Sequence, residues 1–287
     1  MIVISMVFCA TLSNREFRLV KSQYFGLAHL AHGLLIGGRV EIAAPAKRVG
    51  IDNFVFWRCE LHAKKAQLDG VWTDCAFVGV SFSGVFRSVS FCRNHVDDSP
   101  RVNGMEACDF SGAELHAVSF LGSAIDVPSI RWPAWPHVVI PEGEGARNLM
   151  GSVLGAVPYF ETWLCVLAEA ENPGVTVFDL SKVKDIDPSR LDDLAAELWG
   201  VKGIFFEKDG RFSQHYPMHV QDELGEPPAL PPGALPGYQT LLGLPQFRRV
   251  EGENREDYQG EPWVTPLPVL GRKDRSQTSG PSDPIVD

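Results

Sequence analysis

Cys108-Asp-Phe-Ser-Gly, Ala113-Glu-Leu-His-Ala, Val118-Ser-Phe-Leu-Gly and Ser123-Ala-Ile, read as consecutive blocks, decide the architecture. A small residue opens each block at 108, 113, 118 and 123. A large apolar residue follows two places later, at Phe110, Leu115, Phe120 and Ile125. A period of five matches neither the helix period of about 3.6 nor the strand period of about 2. It matches a chain that turns a corner every five residues, with the central residue and the small residue two before it pointing inward. Short units that bury their apolar face only against the next unit are the mark of a solenoid.

The same grammar appears upstream. Phe54-Val-Phe56 leads into Cys59-Glu-Leu61, Ala66-Gln-Leu68, Cys75-Ala-Phe77, Val80-Ser-Phe82 and Val89-Ser-Phe91. Its phase slips between 61 and 68 and again between 82 and 91. It breaks from Arg93 to Glu106, where Asn94, Asp97, Asp98, Ser99, Pro100, Asn103 and Gly104 read as a loop thrown out between coils. Toward the N-terminus, Phe25, Leu30, Leu35 and Val40 are five apart, but Pro45 and Gly50 take the next two central positions. That stretch reads either as a degenerate first coil or as an irregular cap.

Residues 54–125 resemble the pentapeptide-repeat family, most specifically over 108–125. The resemblance implies a right-handed quadrilateral β-helix. It implies no single activity, because one fold carries many functions.

Charge is unevenly placed. Residues 1–140 carry 13 basic and 12 acidic groups, a net of +1. Residues 141–200 carry 4 and 11, a net of −7, and residues 201–287 carry 9 and 13, a net of −4. An acidic surface repels nucleic acid and favours basic partners. Cys59, Cys75 and Cys108 fall on the small inward position, where a free thiol serves as a small hydrophobe. No CxxC occurs, and the pattern suits a reducing compartment, the cytoplasm. The apolar run Met1–Leu12 lacks a preceding basic residue and a cleavage pattern, so it reads as a strand or cap. The stretch from Gly26 to Gly38 is too short and interrupted to span a bilayer.

After the repeats, Ile130-Arg-Trp-Pro-Ala-Trp-Pro-His suits a lid on the open solenoid end, with an aromatic binding platform as the alternative. Leu149, Met150, Val153, Leu154 and Val157 share helical spacing, as do Phe160, Trp163, Leu164 and Leu167 beyond Pro158. Val175–Leu180 reads as a strand. Asp187-Pro188 reads as a helix start ahead of Leu191, Leu194, Ala195 and Leu198, and Asp209-Gly210 as a hairpin turn. Eleven of the 21 prolines fall in the last 66 residues, together with Tyr238, Leu241, Leu242, Leu244, Phe247 and Trp263. Extended, polyproline-like backbone with that much apolar side chain reads as a strap packed across the globular part.

The chain is therefore expected to be mainly β with an α/β appendage. Residues 1–140 would form a short, interrupted solenoid with an N-terminal cap, 141–221 a smaller α/β region, 222–270 the strap and 271–287 a disordered tail.

No catalytic, cofactor or metal motif emerges. Gly143-Glu-Gly145 lacks a third glycine, and Gly79–Gly84 is not a nucleophile elbow. Cys59 and His62 should diverge, inward and outward, and His116 should lie outside. His215 and His219 flank Pro217, which denies them a shared helical face. Glu161, Glu169, Glu171, Asp185, Asp187, Asp192, Asp193 and Glu197 make an acidic cluster, either a solvated face or a docking surface. The expectation is a non-catalytic protein-binding module with no cofactor, no nucleic acid and no membrane. Pentapeptide repeats with a lid and an α/β region resemble bacterial toxin-immunity proteins, which implies a cognate toxin such as a basic nuclease as partner. The docking surface would combine Asp97, Asp98, Asp185, Asp187, Asp192, Asp193 and Glu197 with aromatics at Trp132 and Trp135. The alternatives are a bacterial effector with a catalytic C-terminal region and a gyrase-binding DNA mimic; the latter is disfavoured by a short, near-neutral array.

Overall fold

In the computed structural model the described residues are 2–4, 6–8, 11–14, 16–20, 28–93, 104–121, 125–170 and 174–217. Phe25, most of the 93–106 insertion with Asp97 and Asp98, the strap and the tail lie outside them.

The strands follow one another coil by coil. The first coil contributes β1 (Ile2–Ile4), β2 (Met6–Phe8) and β3 (Thr11–Ser13). β4 (Glu16–Leu19) and β5 (Ala28–Ile36) follow, then β6 (Arg39–Ile42) and β7 (Val49–Trp57). Next come β8 (Glu60–Leu68), β9 (Val71–Thr73) and β10 (Ala76–Val78). β11 (Ser81–Arg87), β12 (Ser90–Arg93) and β13 (Gly104–Glu106) form the fifth set; β14 (Asp109–His116) and β15 (Val118–Phe120) form the last. One side of the molecule is a six-stranded parallel sheet in the order β1-β4-β6-β8-β11-β14. The other sides join β5, β7, β9, β10, β12, β13 and β15 in parallel as well.

This is a β-solenoid, and four inward columns account for it. Phe17, Val40, Leu61, Phe82 and Phe110 share one column. Leu35, Phe56, Phe77, Met105 and Ile125 share another. Leu30, Ile51 and Trp72 lead to Phe91 and Phe120 in the third. Gln67, Phe86 and Leu115 form the fourth. Leu61, Phe77, Phe82, Phe110, Leu115 and Phe120 are all buried, as the repeat requires. Aromatic rings stack from coil to coil at close to the strand spacing of about 4.8 Å. Phe82 on Phe110 is 4.2 Å, Phe56 on Phe77 is 5.0 Å and Phe91 on Phe120 is 5.0 Å.

The corners explain the period. Asn14, Gly37, Arg58, Gly79 and Ala107 each stand three before a residue of the Phe17–Phe110 column, and each is left-handed, with φ of 46, 64, 48, 63 and 49°. A left-handed residue turns the strand and aims its amide at the next coil. Asn14, Gly37 and Arg58 donate to the carbonyls of Ile36, Trp57 and Val78, all at 2.8 Å. The stretch from Leu30 to Val40 is therefore part of the stack and not an irregular cap: β5 pairs in parallel with β7, and β6 with β8.

The slips have local causes. Between Leu61 and Phe86's partner Gln67, β8 carries Lys64, Lys65 and Ala66 as an exposed bulge. Gln67, not Leu68, then takes the inward position. Gln67 is fully buried and donates its amide to the carbonyls of Ala44 and Lys65 at 2.9 Å, while Leu68 is 43% exposed. Hydrophobicity and the repeat phase place Leu68 inward; the extra residues reverse that. Opposite Ala63, Gly84 (φ 95°) admits no side chain because a Cβ would collide with the Ala63 carbonyl.

Cys59, Cys75 and Cys108 are inward and buried, and Cys92 is buried beside them. Burial pushes the thiol of Cys108 up to about 12 and those of Cys59, Cys75 and Cys92 in the same direction. Cys165 is exposed; Cys59, Cys75, Cys108 and Cys165 are free thiols.

The parallel stack ends against antiparallel strands. Arg131 bridges to Asp109, which lays Trp132 on Phe110 at 5.9 Å, as a lid. β16 (His137–Pro141) then precedes two helices, α1 (Glu144–Leu149) and α2 (Pro158–Ala168). β17 (Val175–Asp179) returns between β15 and β16, antiparallel to both. Alternation gives this added pair two faces. Val139, Val175 and Val177 join the solenoid core, whereas Val138, Ile140 and Phe178 face a second core made by the helices. Glu142 fixes the pair: its carboxylate accepts from Gly174 N at 3.1 Å and Thr176 Oγ1 at 2.9 Å. Burial raises its pKa despite those bonds.

The second core differs in detail from the spacing argument. The helical stripe stops at Leu149, and Met150 is 43% exposed; residues 150–157 are turns. Pro158 does not interrupt a helix but opens α2, whose Phe160, Leu164 and Leu167 are buried. Asp187 caps a short 3-10 turn, Pro188–Arg190, that leads into α3 (Leu191–Leu198). The hairpin is β18 (Glu207–Lys208) and β19 (Arg211–Phe212), turned by Asp209 and Gly210 at φ 53 and 72°.

Candidate functional site

The expected docking residues separate into three groups. Asp97 and Asp98 lie outside the described residues. The two tryptophans do not form an exposed platform. Trp132, in the lid itself, is 2% exposed, and half-buried Trp135 packs its ring 4.8 Å from Phe206. The remaining acids are exposed, but two of them serve the fold. Asp185 accepts from Tyr159 N at 3.2 Å, in the first turn of α2, where a carboxylate complements the helix end. Asp187 accepts from Ser189 N at 2.9 Å and Ser189 Oγ at 2.8 Å, bonds that hold its carboxyl below the usual value.

Asp192, Asp193 and Glu197 stay together on α3, next to an open groove of about 650 Å³. One wall is α3, with Asp192, Ala195, Ala196 and Trp199; the other is the hairpin, with Lys208, Asp209 and Arg211. The local sequence makes the groove. Leu194, Ala195 and Leu198 turn the apolar side of α3 into the second core, and the small side chains of Ala195 and Ala196 leave room beside the hairpin. Trp199 is held half-buried at the end of α3, edge-on to Phe206 at 5.8 Å.

Charge across the groove is paired, with exposed carboxylates on a partly buried Lys208. Lys208 Nζ lies 3.1 Å from Asp192 and 3.2 Å from Asp209, and these two partners raise its pKa. Arg190 pairs with Glu197 at 3.3 Å. Such solvent-exposed pairs are worth about 0–1 kcal/mol and exchange partners readily. From 185 to 217 there are seven acidic and four basic residues, a net of −3. Sequence reasoning found the acids and the Asp209-Gly210 turn but missed Trp199, Lys208 and Arg211. The signal was two cations flanking a tight turn after an acidic helix.

A second concentration of titratable groups sits where α2 covers the outer face of β14. His116 Nδ1 donates to the Asp179 carbonyl at 3.2 Å, leaving Nε2 to accept the Tyr159 hydroxyl at 3.4 Å. Burial lowers the pKa of His116, partly opposed by the Asp179 charge. His137 is arranged alike: Nδ1 faces the Ala134 carbonyl at 3.0 Å and Nε2 accepts from Leu115 N at 3.3 Å. Both rings pin one layer to the next. Asp179 Oδ1 is taken by Ser181 N and Oγ, at 2.9 and 2.5 Å. His116 is outside the solenoid, as the repeat phase requires, yet lies under the helical layer. Cys59 and His62 diverge: the thiol is buried, while His62 Nδ1 meets Ser83 Oγ at 2.9 Å.

Among the described residues no group of three or more His, Cys, Asp or Glu could hold a metal ion, and no helix is long and apolar enough to cross a membrane. No family model, curated protein or solved structure matches this chain.

Proposed function

We propose that this chain is a non-catalytic binding protein of the pentapeptide-repeat type, and that it acts in the cytoplasm as an immunity protein, neutralising a cognate protein toxin with a basic surface by stoichiometric binding. The observation that carries this reading is the groove between α3 and the hairpin, with Asp192 and Asp209 at its edges, Trp199 in its wall and a net charge of −3 around it.

The physical case has three parts. The groove rests on a core that shares β16 and β17 with the solenoid, so little conformational freedom is lost when a partner docks. An arginine or lysine of the partner can reach Asp192, whose carboxylate is largely exposed, and compete there with Lys208. Trp199 offers a rigid aromatic anchor, the residue type that dominates binding energy in buried contacts. The surrounding acids would steer a basic partner and act chiefly on the association rate.

The test is co-expression with the product of the adjacent toxin gene, followed by co-purification and a growth assay. A one-to-one complex that restores growth is the expected result; no complex, or no rescue, would sink the proposal. The triple variant Asp192→Lys, Asp193→Lys, Glu197→Lys should slow association by about tenfold or more at low salt and flatten its salt dependence. A complex that forms at an unchanged rate would retain the inhibitor and move its face elsewhere.

A further inference from the structure

One edge of the solenoid is roofed along only part of its length. The left-handed corner residues Asp69, Ser88 and Ala117, at φ 53, 52 and 51°, stand on successive coils. Asp69 N donates to the Arg87 carbonyl at 3.1 Å and Ser88 N to the His116 carbonyl at 3.0 Å. Over Ala117 the edge carries α2: Ala117 belongs to the helical core, and the Tyr159 hydroxyl meets His116 Nε2 at 3.4 Å. Asp69, Arg87 and Ser88 are exposed, so there the edge is open to solvent. The helix makes a step about 10 Å high, one helix diameter. The open run beside it is about 10 Å long, two strand spacings.

The two parts have complementary chemistry. Leu68 and Val71 flank the Asp69 corner and are 43 and 42% exposed. Arg87 is the strand partner of Leu68, Arg48 follows Lys47, which reaches Asp69 at 3.8 Å, and Lys65 stands out in the bulge of β8. Arg48, Lys65 and Arg87 are exposed and have no ion-pair partner among the described residues. On α2, Glu161, Cys165, Val166 and Glu169 lie along one exposed stripe, with Val166 60% exposed. Neither glutamate has a cationic partner among the described residues, and residues 158–170 contain no Lys or Arg. Five large apolar side chains stand exposed among the described residues, and three of them, Leu68, Val71 and Val166, are on this edge. Unpaired cations border the first two and unpaired carboxylates the third.

We propose that this edge is a dimer interface. A second copy of the chain, related by a two-fold axis across the edge, lays its α2 in the open step, and its own step receives α2 of the first copy. Two such edges set antiparallel bring each protruding helix opposite the other's recess. Glu161 and Glu169 of one copy then face Lys65 and Arg87 of the other, and Val166 faces Leu68 and Val71. Two-fold symmetry forms each of these contacts twice, and the assembly closes at two copies. A foreign acidic helix would satisfy the open step only, leaving the α2 stripe exposed; a second copy satisfies both. The residues of the α3 groove take no part, so the inference stands apart from the toxin reading.

Sedimentation equilibrium of the full-length chain at low salt should give the mass of a dimer. The mass should shift toward the monomer in about 1 M salt, where charges act over only about 3 Å. A monomer at concentrations up to about 0.1 mM, or an assembly that grows beyond two copies, would overturn the proposal. Lys65→Glu with Arg87→Glu should raise the dissociation constant about tenfold or more, and adding Glu161→Lys with Glu169→Lys should restore most of the loss. All four positions are exposed, so the folded chain tolerates the exchange. An unchanged constant in the first variant, or no recovery in the second, would take this edge out of the interface and the proposal with it. Leu68→Cys gives a separate readout. Diamide oxidation of a mixture of isotopically light and heavy chains should link the new thiol to Cys165 of another molecule. Links within one chain, links between two Cys165 alone, or none above the parent level would equally overturn it.

Discussion

The solenoid and the helical layer bury the same kinds of side chain under different rules. In the solenoid a residue's neighbours are set by its phase. Leu61 lies under Phe82 and Phe82 under Phe110, because each is the central residue of its block. In the helical layer nothing repeats. Phe160 packs on Phe178 at 5.1 Å because Val157 precedes Pro158, Asp185 meets the first turn of α2, and β17 happens to present Phe178 on that side. One region propagates an arrangement; the other assembles one from single contacts. They meet in β17, whose alternate residues belong to different cores. The difference teaches where a substitution should spread. A change in a column is felt one coil above and below, whereas a change in the helical layer is felt by its immediate neighbours.

The largest expected effect follows. Phe110 is fully buried, stacked on Phe82 at 4.2 Å and on Trp132 at 5.9 Å, with Phe120 edge-on at 5.2 Å. Phe110→Ala should cost about 3–5 kcal/mol in chemical denaturation, since neighbours fixed by strand spacing cannot collapse into the cavity. Because Val175 and Val177 lie in the same core, fluorescence of the solenoid and circular dichroism of the helices should report one coincident transition. Two separated transitions would break the comparison by showing that the shared strand does not couple the cores.

The sequence disclosed the solenoid because its rule is local. A five-residue block is complete in itself, so Cys108 to Ile125 revealed the register without knowledge of anything distant. The rule was obscured where β8 carries extra residues, and before residue 54, where Leu30, Leu35 and Val40 obey it but Pro45 and Gly50 hide its continuation. The site was less legible for the opposite reason. Trp199, Lys208 and Arg211 come together with Asp192 only through the packing of the hairpin beside α3, which no periodicity encodes. The lid around Trp132 is legible from its tryptophans and prolines, but its burial is not, because its partner Phe110 is 22 residues away, one coil along.

A smaller effect should appear where the two regions touch. Burial lowers the pKa of His116 in the folded chain below its ordinary value of 6.5. The unfolded chain therefore binds a proton at higher pH than the folded one does. The contribution of His116 to stability is complete above about pH 6.5 and falls as pH drops from there through the lowered value. Protonation would place a second proton on the ring, at Nε2, where the Tyr159 hydroxyl now donates. Urea denaturation at a series of pH values should show the loss on acidification, and His116→Gln should reduce it relative to the parent chain. Identical pH profiles for both would mean that the helical layer does not depend on a neutral ring there.

The smallest expected effect sharpens the rule itself. Hydropathy alone assigns Leu68 to the core and Gln67 to solvent. The register assigns the reverse, because the bulge of Lys64, Lys65 and Ala66 shifts the phase before the strand meets Phe86. Leu68 stands beside the corner residue Asp69, whose φ is 53°, and is 43% exposed. Leu68→Ala should therefore change stability by no more than about 0.5 kcal/mol, as for ordinary surface positions. A buried leucine would lose about 2–5 kcal/mol. Gln67→Ala, by contrast, removes the donor to the Ala44 and Lys65 carbonyls and should cost about 1–3 kcal/mol for the polar groups left unpaired. If Leu68→Ala proved the more damaging of the two, the bulge would be misplaced and phase would cease to govern the solenoid at this coil. If the order holds, a buried glutamine and an exposed leucine, side by side, show that position in the coil outranks hydrophobicity in deciding what is inside.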